Sequence, residues 1–311
     1  MTSNVGPMPA TALRMVTDEE IASFHRDGAV LIKQVLPAEW VQLAAAGLDA
    51  AIAEPDVMSA ELANGTLRVD QFPAAKSNQL RRLVDESPIA EIVGRALQSP
   101  VTFYMDQMFH KLPGLVAPTP WHQDTCYYNL DGHDLIRAWV SPDPVARNVS
   151  LEVVRGSHLW NATYAPLAGR NAATNESARD QFESATDDAP VLGRDVYQTW
   201  SYASGVRDQS LPPVPDIDAN RDSFDIIGWE YEPGDVILFH GHVLHSALGD
   251  VVSERTRRAH ASLWAGRDVC YLHRAGQIIP DPIGLYDHEP KTGQPLMDFP
   301  DVFPIAWDPA G

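Results

Sequence analysis

The sequence predicts a mainly β fold with flanking helices, a sandwich or jelly roll. Three observations carry that reading. From about residue 100 the chain breaks into short β-type runs, VTFYMDQMFHKL, LIRAWVSP, SLEVVRG, WEYEPGDVILFH and RRAHASLWA, separated by Pro, Gly, Asn and Asp, the texture of antiparallel sheets joined by turns. The first hundred or so residues instead show helical spacing with capping signals. At 311 residues, with 44% hydrophobic and 21% charged side chains, the chain has enough apolar material for a large core in one domain.

From Thr17, TDEEIASFHRDG predicts a helix: Thr17 as N-cap, acids in the first turn, Ile21 and Phe24 three apart, and Gly28 as the stop. AVLIKQVL then predicts a strand. PAEWVQLAAAGLDAAIAE predicts a second helix with Pro37 at its front, and LRRLVDESPIAEIVGRAL one further helix. Residues 1–100 are thus a helix-rich N-terminal part and residues 101–268 the jelly-roll core. Within that core, residues 169–224 are polar, weakly periodic and marked by Tyr197, Trp200 and Tyr202; a long insertion of this kind predicts a lid. The Pro-rich residues 269–311 predict an irregular C-terminal wrap.

Charge and cysteine content exclude several function classes. A formal net charge of −19 repels phosphate backbones and anionic lipid, so neither nucleic acid nor membrane is an expected partner. No window approaches the run of apolar residues a membrane span needs. Cys126 and Cys270 are the only cysteines, which rules out a disulfide framework. The N-terminal MTSNVGPMPATALRM has neither a basic head nor a long apolar stretch, and the expected location is cytoplasmic. A small-molecule substrate and a monomer or small homo-oligomer complete the expectation.

The chemistry lies in TPWHQDTCYYNL. His122 and Asp124 are two residues apart, the repeat of a strand, which aims both at one side. An imidazole and a carboxylate aimed together suit a borderline divalent metal; taken alone, an H-x-D is equally a solvated turn. A third ligand is available in EPGDVILFHGHVLHSALGD, which holds His240, His242 and His245. Any of the three completes a two-His, one-carboxylate set of the kind that binds non-haem Fe(II), and spacing does not choose among them. Further on, Arg257 opens the strand RRAHASLWA and shares a face with Ala259 and Ala261, while Arg258 goes with His260 and Ser262 to the other side. A guanidinium beside small residues suits the far carboxylate of a dicarboxylate. Arg255 and Arg258 are read as surface groups.

WHQD, the RGSH turn at Arg155 to His158, EPGDVILFH followed by LHSA, and RRA stand together in an order and spacing that resemble the phytanoyl-CoA dioxygenase family of Fe(II)- and 2-oxoglutarate-dependent oxygenases. The resemblance spans roughly Thr17 to Trp264 and implies a double-stranded β-helix, a cupin-like jelly roll braced by helices. It implies His122, Asp124 and His245 as iron ligands, with His240 and His242 left as strand-end and supporting residues. For 2-oxoglutarate it implies Arg257 as the carboxylate clamp, with Trp139, Gln107 and Arg68 also binding the cosubstrate. At Ala247, two residues past the last ligand, many family members carry a hydroxyl, and here that hydrogen bond is missing. O₂ is the second cosubstrate implied.

The reaction implied is hydroxylation of an unactivated C–H bond with release of succinate and CO₂; a carboxylate at Asp124, where halogenating relatives have a small residue, points the same way. Tyr127 and Tyr128 are placed at the substrate mouth or in packing, Cys126 in the core, and His158 in a turn. A zinc hydrolase using the same three ligands and a non-catalytic metal-binding jelly roll are the alternatives. The hydrolase has no use for a buried arginine clamp, and succinate release from 2-oxoglutarate separates both from an oxygenase.

Overall fold

Thr17 begins the helical part by closing a capping box: its side chain accepts from the Glu20 N–H and the Glu20 carboxylate accepts from the Thr17 N–H, heading α1 (Asp18–Asp27). Gly28 ends it at φ 80°, where a Cβ would lie 2.4 Å from His158 Nδ1, so conformation and space both demand glycine. The computed structural model describes residues 8–55, 59–62, 66–116, 118–165, 211–249, 252–273 and 290–310. β1 (Ala29–Ile32) follows, then α2 (Ala38–Ala53) directly after Pro37.

Two details of the N-terminal part depart from expectation. A hairpin, β2 (Ser59–Leu62) and β3 (Leu67–Gln71), sits among the helices and is followed by a single turn, α3 (Pro73–Lys76). The one helix expected after it is two, α4 (Asn78–Glu86) and α5 (Ile89–Leu97). Pro88 explains the break: it lacks an N–H and pushes the preceding residue out of helical space, and Ser87 is extended at φ −80°, ψ 164°.

The β part runs β4 (Val101–Lys111), β5 (Gly114–Leu115), β6 (Thr119–His122), β7 (Leu130–Asp131), β8 (Leu135–Val140), β9 (Leu151–Val154), β10 (Ile226–Gly228), β11 (Val236–His240), β12 (His245–Ala247), β13 (Val252–Ser253), β14 (Arg257–Ala265), β15 (Cys270–Tyr271) and β16 (Ile305–Trp307). An eight-stranded sheet has the order β1-β11-β8-β14-β4-β3-β2, with β16 also on β4; a four-stranded sheet has the order β10-β9-β12-β6. β13 with β5 and β15 with β7 make short ribbons. Every pairing between these strands is antiparallel among the described residues.

Ile237 and Phe239 of the large sheet share a buried cluster with Leu151 and Val153 of the small one, so the sheets pack face to face as the expected jelly roll. The other face of the large sheet, with Met108, Ile136, Ala138, Val140, Leu238 and Trp264, joins Phe24, Trp40, Leu48, Leu80 and Ile92 of the helices in the main core. Strand alternation thus sorts each residue of the large sheet toward the helices or toward the space between the sheets.

Most of the expected lid lies outside the described residues, Tyr197, Trp200 and Tyr202 included; in its described end Asp218–Ser223 form a 3-10 turn. The C-terminal wrap is less irregular than expected. Cys270 and Tyr271 pair with Asp131 and Leu130, and Ile305 pairs with Thr102. Among the described residues no helix is long and apolar enough to cross a membrane.

Candidate metal centre and cosubstrate cavity

β6 and β12 are neighbours, and their register sets His122 opposite His245 with ring centroids 4.1 Å apart. Asp124 joins them for a different reason than strand alternation. β6 ends at His122, and Asp124 has helical backbone angles, φ −76°, ψ −35°. The bend is strapped by Gly241, whose carbonyl accepts from the Asp124 and Thr125 N–H groups at 3.1 and 3.2 Å. A Cβ on Gly241 would lie 2.9 Å from Leu135 Cβ and 3.2 Å from Thr125 Cγ2, so the strap needs glycine. Asp124 Oδ1 then stands 3.8 Å from His122 Nε2 and 3.6 Å from His245 Nε2.

Each donor is held in the state a metal requires. His122 Nδ1 sits 2.8 Å from the Pro120 carbonyl and His245 Nδ1 3.1 Å from the Val243 carbonyl; a proton on each Nδ1 leaves Nε2 as the free lone pair. Burial, reinforced by His245, pulls the His122 imidazole down to about 3, and burial lowers His245 as well. Both rings are therefore neutral near pH 7. Burial alone would raise the Asp124 carboxyl, but the Arg137 guanidinium and the two imidazoles outweigh it and bring it to about 2. Arg137 Nε donates to Asp124 Oδ2 at 2.7 Å, which fixes that oxygen and leaves Oδ1 facing the histidines. Two neutral imidazoles and one carboxylate fit a borderline divalent ion such as Fe(II). Among the described residues this is the one group of three His, Cys, Asp or Glu side chains whose donor atoms all lie within 4.8 Å of one another.

The neighbouring histidines take other places. His240 ends β11 on the helix side of the sheet, stacked on Phe24 with centroids 6.1 Å apart and 3.3 Å from His133 Nδ1. His242 lies 3.3 Å from Thr125 Oγ1 and 3.1 Å from the Gly132 carbonyl, beside the metal ligands but not among them. His158 occupies its turn, 3.1 Å from the His25 carbonyl. Cys126 is half-buried and donates to the Gln123 carbonyl.

The donor set opens onto a cavity of about 1010 Å³, counting its mouth, between the two sheets. Gln107, Trp139, Arg257, Ala247, Tyr127 and Tyr128 all line it. Trp139 stands over Phe109 at 4.9 Å and donates to the Tyr231 hydroxyl. Gln107 accepts from Arg137 Nη2. Arg257 gives Nη1 to the Val149 carbonyl at 2.6 Å, while its Nε and Nη2 are buried without a hydrogen-bond partner. Arg258 gives its guanidinium to Asp143 and to Asp49 of α2, the side alternation predicts, but it is half-buried and touches the cavity lining, so it is not the surface group expected.

Arg68 is the correction. It is not among the cavity-lining residues; its guanidinium holds Asp70 and the Ala51 and Ile52 carbonyls at the end of α2. The reason is parity: Arg68 stands opposite His110 and shares a face with Asp70, on the helix side, whereas Gln71 stands opposite Gln107 on the cavity side. Two charged lining residues are absent from the sequence-based expectation. Arg137 sits two before Trp139 in LIRAWV, and a charged residue inside an apolar run was the available signal. Lys111 ends β4 directly opposite Arg257.

The sequence profile of the phytanoyl-CoA dioxygenase family (PhyH) matches residues 24–259. No protein of curated function matches the chain in sequence. Among solved structures, the non-haem alpha ketoglutarate dependent epimerase SnoN from nogalamycin biosynthesis is similar at 19% identity, over 94% of this chain and 96% of that one, with a TM-score of 0.65. The carbocyclase SnoK from the same biosynthesis is similar at 18% identity over 93% and 96%, with a TM-score of 0.62. EctD from S. alaskensis, solved with 2-oxoglutarate and 5-hydroxyectoine, is similar at 17% identity over 90% and 85%, with a TM-score of 0.59. At these identities the likeness shows a shared fold.

Proposed function

The chain belongs to the phytanoyl-CoA dioxygenase (PhyH) family, and from that premise we propose that it is an Fe(II)- and 2-oxoglutarate-dependent dioxygenase that hydroxylates an unactivated C–H bond of a small organic molecule. The balance is R–H + O₂ + 2-oxoglutarate → R–OH + succinate + CO₂. One observation carries the reading: a His122, Asp124, His245 donor set and a buried guanidinium with two unpartnered donors line one cavity. A hydrolase has use for the first and none for the second.

His122, Asp124 and His245 would hold the iron, which when bound would activate O₂, the source of the oxidising equivalents. The protein's own work is orientation and exclusion of water. Arg137 keeps Asp124 ionised and turned so that one oxygen faces the imidazoles. Arg257 offers its Nε and Nη2 edge to the far carboxylate of 2-oxoglutarate, a charge-assisted bidentate contact. Phe109, Trp139, Tyr231 and Phe239 wall the cavity, keeping the dielectric low so that these contacts hold. Tyr127 lines the cavity and stands edge-on to His122 at 5.9 Å, where a substrate C–H bond would approach.

The test is succinate formation from 2-oxoglutarate in air with added Fe(II), followed by a screen of small molecules that stimulate it and mass analysis of the product under ¹⁸O₂. One labelled oxygen per product supports hydroxylation. A stimulated substrate that gains no oxygen, becoming an isomer or losing two hydrogens, replaces hydroxylation with epimerisation or cyclisation. No succinate at all, with zinc retained, sinks the oxygenase.

A further inference from the structure

Resting on that reading, we infer that Lys111 and Arg257 form one two-cation receptor for the far carboxylate of the cosubstrate, Lys111 lining the cavity that Arg68 does not reach. Lys111 closes β4 and Arg257 opens β14, and the antiparallel register sets them directly opposite each other. Directly opposed side chains share a face with Cβ atoms about 5 Å apart. Both line the cavity. The pair is thus two cations side by side in the space between the sheets, an arrangement that destabilises a fold unless something negative sits between them.

Nothing in the described chain fills that need. Lys111 Nζ, Arg257 Nε and Arg257 Nη2 are all buried without a partner. Among the described cavity-lining residues the one carboxylate is Asp124, and its Oδ2 is already bound to Arg137. Burial, with Arg257 adding to it, draws the Lys111 ammonium down to about 8, as expected of a lysine held near a second cation with no counter-ion. The geometry of the free donors specifies the missing group. Arg257 Nη1 is taken by Val149, which leaves the Nε and Nη2 edge, the fork that a planar carboxylate meets with both oxygens. A third donor at Lys111 matches the lone pairs left on those oxygens. Ala247, also on the wall, has no side-chain donor to contribute.

The experiment is calorimetric titration of the Mn(II)-loaded protein, in which the ion occupies the donor set without turnover. 2-Oxoglutarate is compared with 2-oxopentanoate, which has the same keto-acid end and no far carboxylate. Lys111→Met is expected to weaken 2-oxoglutarate at least tenfold and to leave 2-oxopentanoate unchanged, with Lys111→Arg within a few fold of the parent. The ligand-free Lys111→Met protein should melt no lower than the parent, because an unpaired buried cation has been removed; a merely structural lysine would lower the melting temperature. Amine acetylation of the unaltered protein is the second arm. With four lysines in the chain, modification at Lys111 is read directly by peptide mass, and 2-oxoglutarate should protect it. An unchanged 2-oxoglutarate affinity in Lys111→Met, an equal loss for both keto acids, or acetylation unaffected by 2-oxoglutarate overturns the inference alone. A parent protein that binds no 2-oxoglutarate overturns the proposed function with it. If Lys111→Met does not fold, the protection experiment decides.

Discussion

On the helix side of the large sheet, buried charges come already paired. Arg68 grips Asp70, which Lys76 also reaches at 3.0 Å, and His260 Nε2 meets Asp106 Oδ2 at 2.8 Å. On the cavity side of the same strands, Arg257 and Lys111 carry donors that nothing in the described chain satisfies, and Arg137 is the cavity-side charge that is fully engaged, on Asp124, Gln107, Tyr128 and the Ala261 carbonyl. Backbone and register are common to both faces, so the difference lies in what each face is for. The difference is one of charge and not of every polar atom, since His260 Nδ1 on the helix side also lacks a partner: a fold pairs its buried charges where it needs stability and leaves them unpaired where a ligand is to complete them.

That contrast is broken or sharpened by substitution, and the largest effect belongs to the donor set. Asp124→Gly removes the only carboxylate of the group, together with the partner of Arg137 Nε. Turnover and iron retention should both be lost, read as succinate formation and as iron per protein after desalting. An Asp124→Gly protein that keeps its iron and its rate removes the triad.

Arg257 and Arg68 form the paired test of the two faces. Arg68→Met breaks a buried pair whose carboxylate keeps Lys76, and it should cost about 3 kcal/mol of stability while leaving the 2-oxoglutarate requirement unchanged. Arg257→Ala should do the reverse. Losing a desolvated charge-assisted contact costs roughly 2–5 kcal/mol of binding, which raises the apparent 2-oxoglutarate requirement at least tenfold, with iron binding intact and stability nearly so. Arg258→Ala, whose guanidinium is already engaged by Asp143 and Asp49, should leave that requirement alone. Denaturant melts beside succinate against 2-oxoglutarate curves separate the outcomes. A shifted cosubstrate curve in Arg68→Met returns Arg68 to the site.

What the sequence made legible follows from which physics is local. α1 was readable to its caps because Thr17, Glu20 and Gly28 act within a few residues. Arg257 was readable from alternation in one strand. The split at Pro88 is equally local, but apolar periodicity runs through it and masks it. The β2–β3 hairpin was missed because its pairing with β4 is a long-range fact. Asp124 was matched to the right partners by the wrong mechanism: the Gly241 strap comes from a residue 117 positions away in sequence, which no two-residue repeat encodes. Arg68 misled because a basic residue at a suitable place in the order says nothing of the face it takes. The parity of RVDQ, with Arg68 and Asp70 together, was the signal that would have corrected it.

The smallest expected effect comes from the helix side and concerns acid. His240 is 2% exposed, and burial first, then the surrounding imidazoles, hold it well below its ordinary value, so it is neutral in the fold. The groups facing it are His25 from α1, His133 from the turn before β8, His158 from the turn after β9, and His242. Each would repel a proton placed on His240, and none is an acid that would welcome one. The unfolded chain has no such constraint and takes up that proton near pH 6.5. Below that pH the unfolded state binds more protons than the folded one, so this contribution to stability is complete above about pH 6.5 and is lost as the pH falls toward the depressed folded value. One proton's difference is worth at most about 1.4 kcal/mol per pH unit. His240→Phe keeps a ring against Phe24 and removes the titration. The measurement is denaturant stability at pH 7.5 and pH 5.5 for parent and variant, both metal-free so that His122 and His245 contribute alike to each. The parent should lose more stability across that interval, by up to about 1.4 kcal/mol, even if the variant starts lower for want of the His242 N–H contact to His240 Nδ1. Equal losses would mean that His240 accepts a proton inside the fold as readily as outside it, and that the helix side of the sheet is not the closed, neutral face its packing describes.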